Sequence, residues 1–170
     1  GFTVYFEHRI MEVVYGKEYS EMLASLTRAE LFEAAESMME ETPNDTKLKL
    51  ELAGRNPDDG VTSIPYNKGY FFLRLIEEEV GREKFDAFLK NYFEENKFKV
   101  MTTEQFIEYL KANLLSEDQY KNLKLNQWIY ETGIPDNIPT VESDRFAKVD
   151  SARNNFSQPL KRDIQQCTQR

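Results

Sequence analysis

Asp58 and Tyr66 flank a loop rich in Pro, Gly and Asp, Gly54-Arg55-Asn56-Pro57-Asp58-Asp59-Gly60-Val61-Thr62-Ser63-Ile64-Pro65, that runs into a helical pattern. A tyrosine at a helix N-terminus sits near the positive end of the helix dipole, where anionic character is stabilised. A phenol so placed can donate a hydrogen bond to an oxyanion developing on a substrate carbonyl, with no help from histidine. That independence matters, because the 170 residues hold one His, His8, and one Cys, Cys167. No Ser-His-Asp relay, H-E-x-x-H pair or multi-histidine metal site can form unless His8 belongs to it. An internal disulfide framework and a cysteine-based zinc site are excluded outright. On the residues alone, packing between helices is the competing explanation for Tyr66.

The other candidates read as structure. His8 lies in a helical run between Glu7 and Arg9, a setting for a surface or supporting residue. Glu77-Glu78-Glu79 looks like a metal-attracting cluster, but consecutive carboxylates point around a helix and cannot converge on one ion, so they read as a solvated face. Met38-Met39 reads as core, and Cys167 has no partner for catalysis. With 30 Asp+Glu against 22 Lys+Arg and a net charge of −8, sequence-independent nucleic-acid binding is not expected. No membrane partner is expected either, since no stretch reaches the ~20 apolar residues of a span. At 40% apolar and 13% aromatic, the chain has the material for an ordered core.

Helices must position these groups, because the apolar spacing is helical nearly throughout. Phe2, Tyr5, Phe6, Ile10, Val13 and Val14 recur at threes and fours over residues 2–15, with Gly16 as the stop. Tyr19, Met22, Leu23 and Leu26 mark a helix over 18–27, and Thr27 as N-cap opens another over 29–41. Lys47-Leu48-Lys49-Leu50-Glu51-Leu52 alternates with period two, as in a strand or a short amphipathic helix. A helix opening at Tyr66 runs to about Val80, and past Gly81 another covers 82–96. Thr102-Thr103-Glu104-Gln105 and Ser116-Glu117-Asp118-Gln119 are capping-box patterns. Pro135 and Pro139 favour an extended linker and a domain edge. Beyond it, Phe146, Val149, Phe156, Leu160 and Ile164 are too sparse to form a core alone. The class is all-α.

Three stretches resemble one family. Gly1-Phe2-Thr3-Val4-Tyr5-Phe6-Glu7 resembles the segment just after the third zinc ligand in zinc aminopeptidases of the gluzincin clan. Thr62-Ser63-Ile64-Pro65-Tyr66-Asn67-Lys68-Gly69 is similar to the Ser-Val-Pro-Tyr-Glu-Lys-Gly motif of its leukotriene epoxide hydrolase and aminopeptidase B branch. Trp128-Ile129-Tyr130-Glu131-Thr132-Gly133-Ile134-Pro135 resembles the Trp-Leu-Tyr-x-x-Gly-Leu-Pro that closes the catalytic domain there.

The resemblance implies that Tyr66 is the catalytic tyrosine holding the tetrahedral oxyanion, and that Asp58 lines the pocket for the substrate's N-terminal side chain. A carboxylate there favours Arg or Lys. Val61 departs from the pattern, since the epoxide hydrolases carry Tyr at that place, and this argues against epoxide hydrolysis. The resemblance also implies zinc in the parent protein, with its third ligand Glu immediately before Gly1 and the other ligands upstream. No metal is therefore expected on this chain, and the chain alone is expected to be inactive. Peptides are the implied substrates.

Residues 1–134 are then the helical half of a thermolysin-like catalytic domain, 135–140 a Pro-containing linker, and 141–170 the truncated start of a C-terminal helical domain. An apolar face cut off from the zinc half is expected to let the piece self-associate. Both ends read as periodic structure, so the chain is expected to be part of a larger protein. One Cys fits cytoplasm and periplasm alike, and the cytoplasm is the expected compartment. The competing reading is a non-catalytic helical interaction module.

Overall fold

Glycines and capping boxes divide the chain much as the apolar spacing predicts. The computed structural model describes residues 1–149 and 151–153. Its helices include α1 (Phe2–Tyr15), α2 (Lys17–Glu41), α3 (Ile64–Val80), α4 (Arg82–Asn96), α5 (Thr103–Asn113), α6 (Glu117–Asn122) and α7 (Leu125–Tyr130), with short 3₁₀ turns at Pro43–Thr46 and Pro57–Gly60 and further helical residues at 144–149 and 151–153. Among the described residues there is no strand, and the class is all-α. Gly16 and Gly81 separate their helices at φ 89° and 87°, a left-handed backbone that favours glycine. Both capping boxes form, Thr102 with Gln105 and Ser116 with Gln119.

α3 lies at the centre. Asn67 through Leu73 are all buried, together with Ile64, Ile76 and Val80, and a helix covered on every side belongs inside a core. α1 and α2 cover one flank and α4 another. The remaining cover comes from Ile107 and Leu110 of α5 and from Leu125, Trp128 and Ile129 of α7. Each fully buried Phe or Ile, such as Phe71 and Ile76, contributes roughly 1.5–3 kcal/mol. Trp128 is fully buried beside Phe72, 5.7 Å between ring centroids. Its Nε1 donates to Asn137 Oδ1 at 3.0 Å, and Asn137 Nδ2 in turn donates to the Asn122 carbonyl at 3.2 Å. The proline-containing stretch after Gly133 is thus fastened to the helices.

Several expectations are corrected. α2 is one helix, not two: the Thr27 hydroxyl donates back to the Leu23 carbonyl at 3.1 Å instead of capping, a pattern tolerated inside helices. Ala24, Leu31 and Ala35 continue one buried face across that point. Residues 47–52 form neither strand nor helix. With no neighbouring strand to pair with, this run makes one long-range backbone bond, Lys49 N–H to the Ile129 carbonyl at 2.9 Å, besides local turn bonds at Lys47 and Leu52. α3 begins at Ile64, so Tyr66 falls within its first turn rather than opening it. Only part of the α1 stripe is covered: Tyr5 is buried, whereas Ile10, Val13 and Val14 are 58%, 87% and 61% exposed. Met38 packs against the core but Met39 is exposed. Phe156, Leu160, Ile164 and Cys167 lie outside the described residues.

The triple glutamate is a solvated face only at Glu78, which is exposed while Glu77 and Glu79 are half-buried. Glu77 accepts from the Tyr5 hydroxyl at 2.5 Å and from Arg82 at 2.7 Å. Arg82 also makes a two-pronged pair with Glu12 at 2.7 and 2.8 Å, and Arg9 does the same with Asp86 at 2.9 Å. Glu78 accepts from Arg74 at 2.9 Å, and Glu79 accepts from Asn122 at 3.2 Å. Burial, with the Glu77 carboxylate alongside, pushes the Tyr5 phenol well up, so it stays protonated and donates. This network ties α1 to α3 and α4 across a polar cavity of about 370 Å³.

His8 is buried rather than superficial, stacked on Tyr70 at 4.3 Å between centroids. The Thr27 hydroxyl is already spent on Leu23, so its oxygen accepts from His8 Nε2 at 3.3 Å, leaving Nδ1 as a buried acceptor without a partner. Burial lowers the His8 pKa. The unfolded chain therefore takes up a proton near the ordinary value of 6.5 while the folded one does not, and stability falls as pH drops below that value. His8 is the sole histidine, so wild type should lose stability as the pH falls from 7 to 5. His8→Phe should hold its stability over that window, as read by urea unfolding at each pH.

Candidate active site

The loop before α3 is built from side-chain caps. Asn56 Oδ1 accepts from the Asp58 N–H at 3.2 Å, opening the 3₁₀ turn Pro57–Gly60, and the Val61 N–H closes it onto the Asp58 carbonyl at 3.0 Å. Arg55 fastens the loop from outside with a two-pronged pair to Asp45, at 2.6 and 2.8 Å. That guanidinium holds the buried Asp45 carboxyl below the usual carboxylate range. Thr62 Oγ1 then accepts from the Ile64 N–H at 3.3 Å, and Pro65, which has no N–H to lose, fits the first turn of α3.

Tyr66 emerges from that turn 46% exposed. A concavity of about 200 Å³ adjoins it, lined by Gly1, Gly60, Val61, Pro65 and Tyr66. The sequence-derived pair is only partly brought together: Tyr66 lines this hollow, whereas Asp58 stands exposed on the 3₁₀ turn without lining it. Val61 contributes to the wall and is itself 68% exposed.

Gly1 reaches the site by a close backbone approach. Its nitrogen donates to the Pro65 carbonyl at 2.7 Å. A Cβ placed on Gly69 would stand 2.8 Å from Gly1 Cα, and one on Gly1 would stand 2.9 Å from the Gly69 carbonyl carbon. Neither distance is attainable, so α1 and α3 cross where both chains are glycine. The third family-like stretch meets α3 from behind. Lys68 is fully buried, and its Nζ donates to the Thr46 carbonyl at 2.9 Å and the Glu131 carbonyl at 3.3 Å. Burial lowers its pKa to about 8. The Gly133 N–H donates to Thr46 Oγ1 at 2.7 Å. All three stretches therefore grip one helical turn. Sequence reasoning overlooked Lys68 and the glycine crossing, although a lysine directly before the apolar run Gly69-Tyr70-Phe71-Phe72-Leu73 was a visible signal.

Among the described residues, no three His, Cys, Asp or Glu side chains are grouped so as to hold a metal ion. No described helix is long and apolar enough to cross a membrane.

Comparison with known proteins gives one answer. Residues 1–128 match the peptidase family M1 domain. A leucine aminopeptidase 2 from Lodderomyces elongisporus is 33% identical over 166 residues, covering 84% of this chain and 26% of the relative. A leukotriene A-4 hydrolase homolog from Botryotinia fuckeliana is 30% identical over 139 residues, covering 79% and 21%. In three dimensions, the native leukotriene A4 hydrolase of Saccharomyces cerevisiae superposes with a TM-score of 0.76 at 27% identity, covering 82% of this chain and 22% of that one. The yeast leukotriene A4 hydrolase in complex with bestatin gives 0.75 at 25% identity, covering 83% and 23%. The chain thus spans about a quarter of the length of the proteins it matches. On a family match that covers most of its length, and on a fold shared with these hydrolases, the chain belongs to peptidase family M1, in the leukotriene A4 hydrolase branch.

Proposed function

We propose that this chain is part of a zinc-dependent aminopeptidase and contributes the oxyanion-stabilising hydroxyl through Tyr66. The single observation that carries the reading is the exposed Tyr66 phenol on the first turn of α3, beside a hollow it shares with Gly1 and Val61. As a peptide carbonyl is attacked, its oxygen gains negative charge, and a phenol already aimed at that place lowers the barrier by donating a hydrogen bond to it. Zinc, when bound by residues elsewhere in the whole protein, supplies Lewis-acid polarisation of the same carbonyl. In this reading residues 1–134 are the helical part of the catalytic domain, 135–140 a connection, and 141–170 the start of a further helical domain. The exposed outer face of α1 is the surface that meets the rest of the catalytic domain, and through which the piece alone self-associates.

Asp58 tunes the substrate. Its free carboxylate on the 3₁₀ turn adds basic N-terminal side chains to the range accepted, by charge-assisted hydrogen bonding. Val61 leaves the hollow without the phenol expected for epoxide chemistry. The test uses the whole protein with arginyl and leucyl amide substrates bearing free N-termini. Hydrolysis should vanish with a zinc chelator and return with added zinc, and the 170 residues by themselves should be inactive. Asp58→Asn should lower kcat/KM for the arginyl substrate about tenfold relative to the leucyl one. Chelator-insensitive turnover, or no turnover of either substrate, would remove the proposal; an unchanged arginyl-to-leucyl ratio would remove only the role of Asp58.

A further inference from the structure

Among the described residues, Lys68 is the one fully buried lysine or arginine, and it has no carboxylate within ion-pair distance. Burying an ammonium is expensive, and a methionine of similar size would fill the same space without that cost. What a methionine lacks is donors. The Thr46 and Glu131 carbonyls both accept from Nζ; the first ends the 3₁₀ turn Pro43–Thr46 and the second directly follows α7. Without the amine the Thr46 carbonyl would be a buried acceptor without this donor, and the part-buried Glu131 carbonyl would lose it too.

These two carbonyls belong to a rigid frame. The Thr46 hydroxyl donates to the Pro43 carbonyl at 2.6 Å while its oxygen accepts from the Gly133 N–H at 2.7 Å, which welds the Pro43–Thr46 turn to the chain after α7. On the same turns of α3, Gly1 donates to the Pro65 carbonyl and abuts Gly69. Two residues along a helix is a rotation of about 200°, so Lys68 points away from Tyr66 and anchors the turn from behind. The Tyr66 hydroxyl has no hydrogen-bond partner among the described residues, so the helix alone decides where the phenol stands.

We propose that Lys68 is a positioning residue for Tyr66, its amine holding the first turn of α3 against the Thr46 and Glu131 carbonyls so that the phenol meets the oxyanion. This rests on the reading that Tyr66 stabilises that oxyanion. Lys68 does not touch substrate. It acts on the transition state only, through the placement of another residue, and small displacements of a catalytic group lower kcat with little change in KM.

A double-mutant cycle in the whole protein tests it, read as kcat and KM on a leucyl amide substrate with circular dichroism confirming the fold. Lys68→Met should lower kcat at least tenfold with KM within about twofold of wild type. In a Tyr66→Phe background the same substitution should change kcat less than twofold, because the group it positions is already gone. If Lys68→Met does not fold, Lys68→Gln, which keeps a polar donor on a shorter stem, is put through the same cycle with a loss of at least fivefold expected. An equal loss in both backgrounds, or wild-type kcat in the folded single variant, overturns the proposal. Should Tyr66→Phe alone leave kcat unchanged, the oxyanion reading itself fails, and that outcome is distinct from the other two.

Discussion

Whole protein carrying Tyr66→Phe is expected to bind peptide substrates as wild type does and to turn them over about 10²–10³-fold more slowly. The substitution removes one oxygen and leaves the ring. Because Tyr66 is half exposed and its hydroxyl bonds to nothing among the described residues, no folding interaction is lost, and the thermal midpoint should stay within a degree or two. The hydroxyl acts only when charge gathers on the carbonyl oxygen, so the loss falls on kcat while KM holds. That split separates an oxyanion donor from a residue that packs between helices, whose removal would lower stability and spare turnover. A Tyr66→Phe protein with wild-type kcat would falsify the assignment.

Gly69→Ala should be the most damaging small substitution in the molecule. An alanine is ordinarily the better helix former by about 1 kcal/mol. Here its Cβ would lie 2.8 Å from Gly1 Cα and 3.1 Å from the Gly1 nitrogen, both main-chain atoms that no side-chain rotation can move. Relief requires α1 to shift bodily away from α3, straining the Pro65 bond of Gly1 and the stacking of Phe2 on Tyr92 at 5.9 Å. Overpacking of this kind costs about 1–3 kcal/mol beyond the forfeited helix gain. A net destabilisation of about 2 kcal/mol in urea unfolding is expected, with kcat falling about 10²-fold because the first turn of α3, and the phenol on it, no longer keeps its place. Gly16→Ala is the control: an added Cβ there meets nothing within 4 Å, so its cost is limited to the strain of φ 89° and activity should be retained.

The sequence discloses features that depend on near neighbours. Gly16 and Gly81 stop helices, and the Thr102 and Ser116 boxes start them, because each needs only residues within one turn. The motif around Tyr66 is equally local, and its place on the first turn of α3 follows from Pro65. What escaped was set by distant partners. Thr27 looked like a cap, yet Ala24, Leu31 and Ala35 had one continuous surface to cover and carried the helix through it. Glu77 looked solvated because Tyr5, the donor that buries it, stands 72 residues away. His8 looked superficial because nothing nearby in the chain announced Tyr70 above its ring. Lys68 and the glycine crossing belong to the same class: the first is explained only by Thr46 and Glu131, the second only by a helix 64 or more residues upstream.

Trp128 turns the fastening of the chain after Gly133 into an optical signal. It is the single tryptophan, its ring has no access to water, and its one N–H is held by Asn137. Excited indole dipoles relax against mobile water, and here none is in reach, so the emission belongs at the blue end of its range and should resist quenching by iodide. Any event that lifts the stretch from Gly133 to Thr140 frees Asn137, admits water beside the ring and moves the spectrum red before a helix melts. The protein thereby carries its own gauge for the seating of one particular strap, readable in a cuvette without a label.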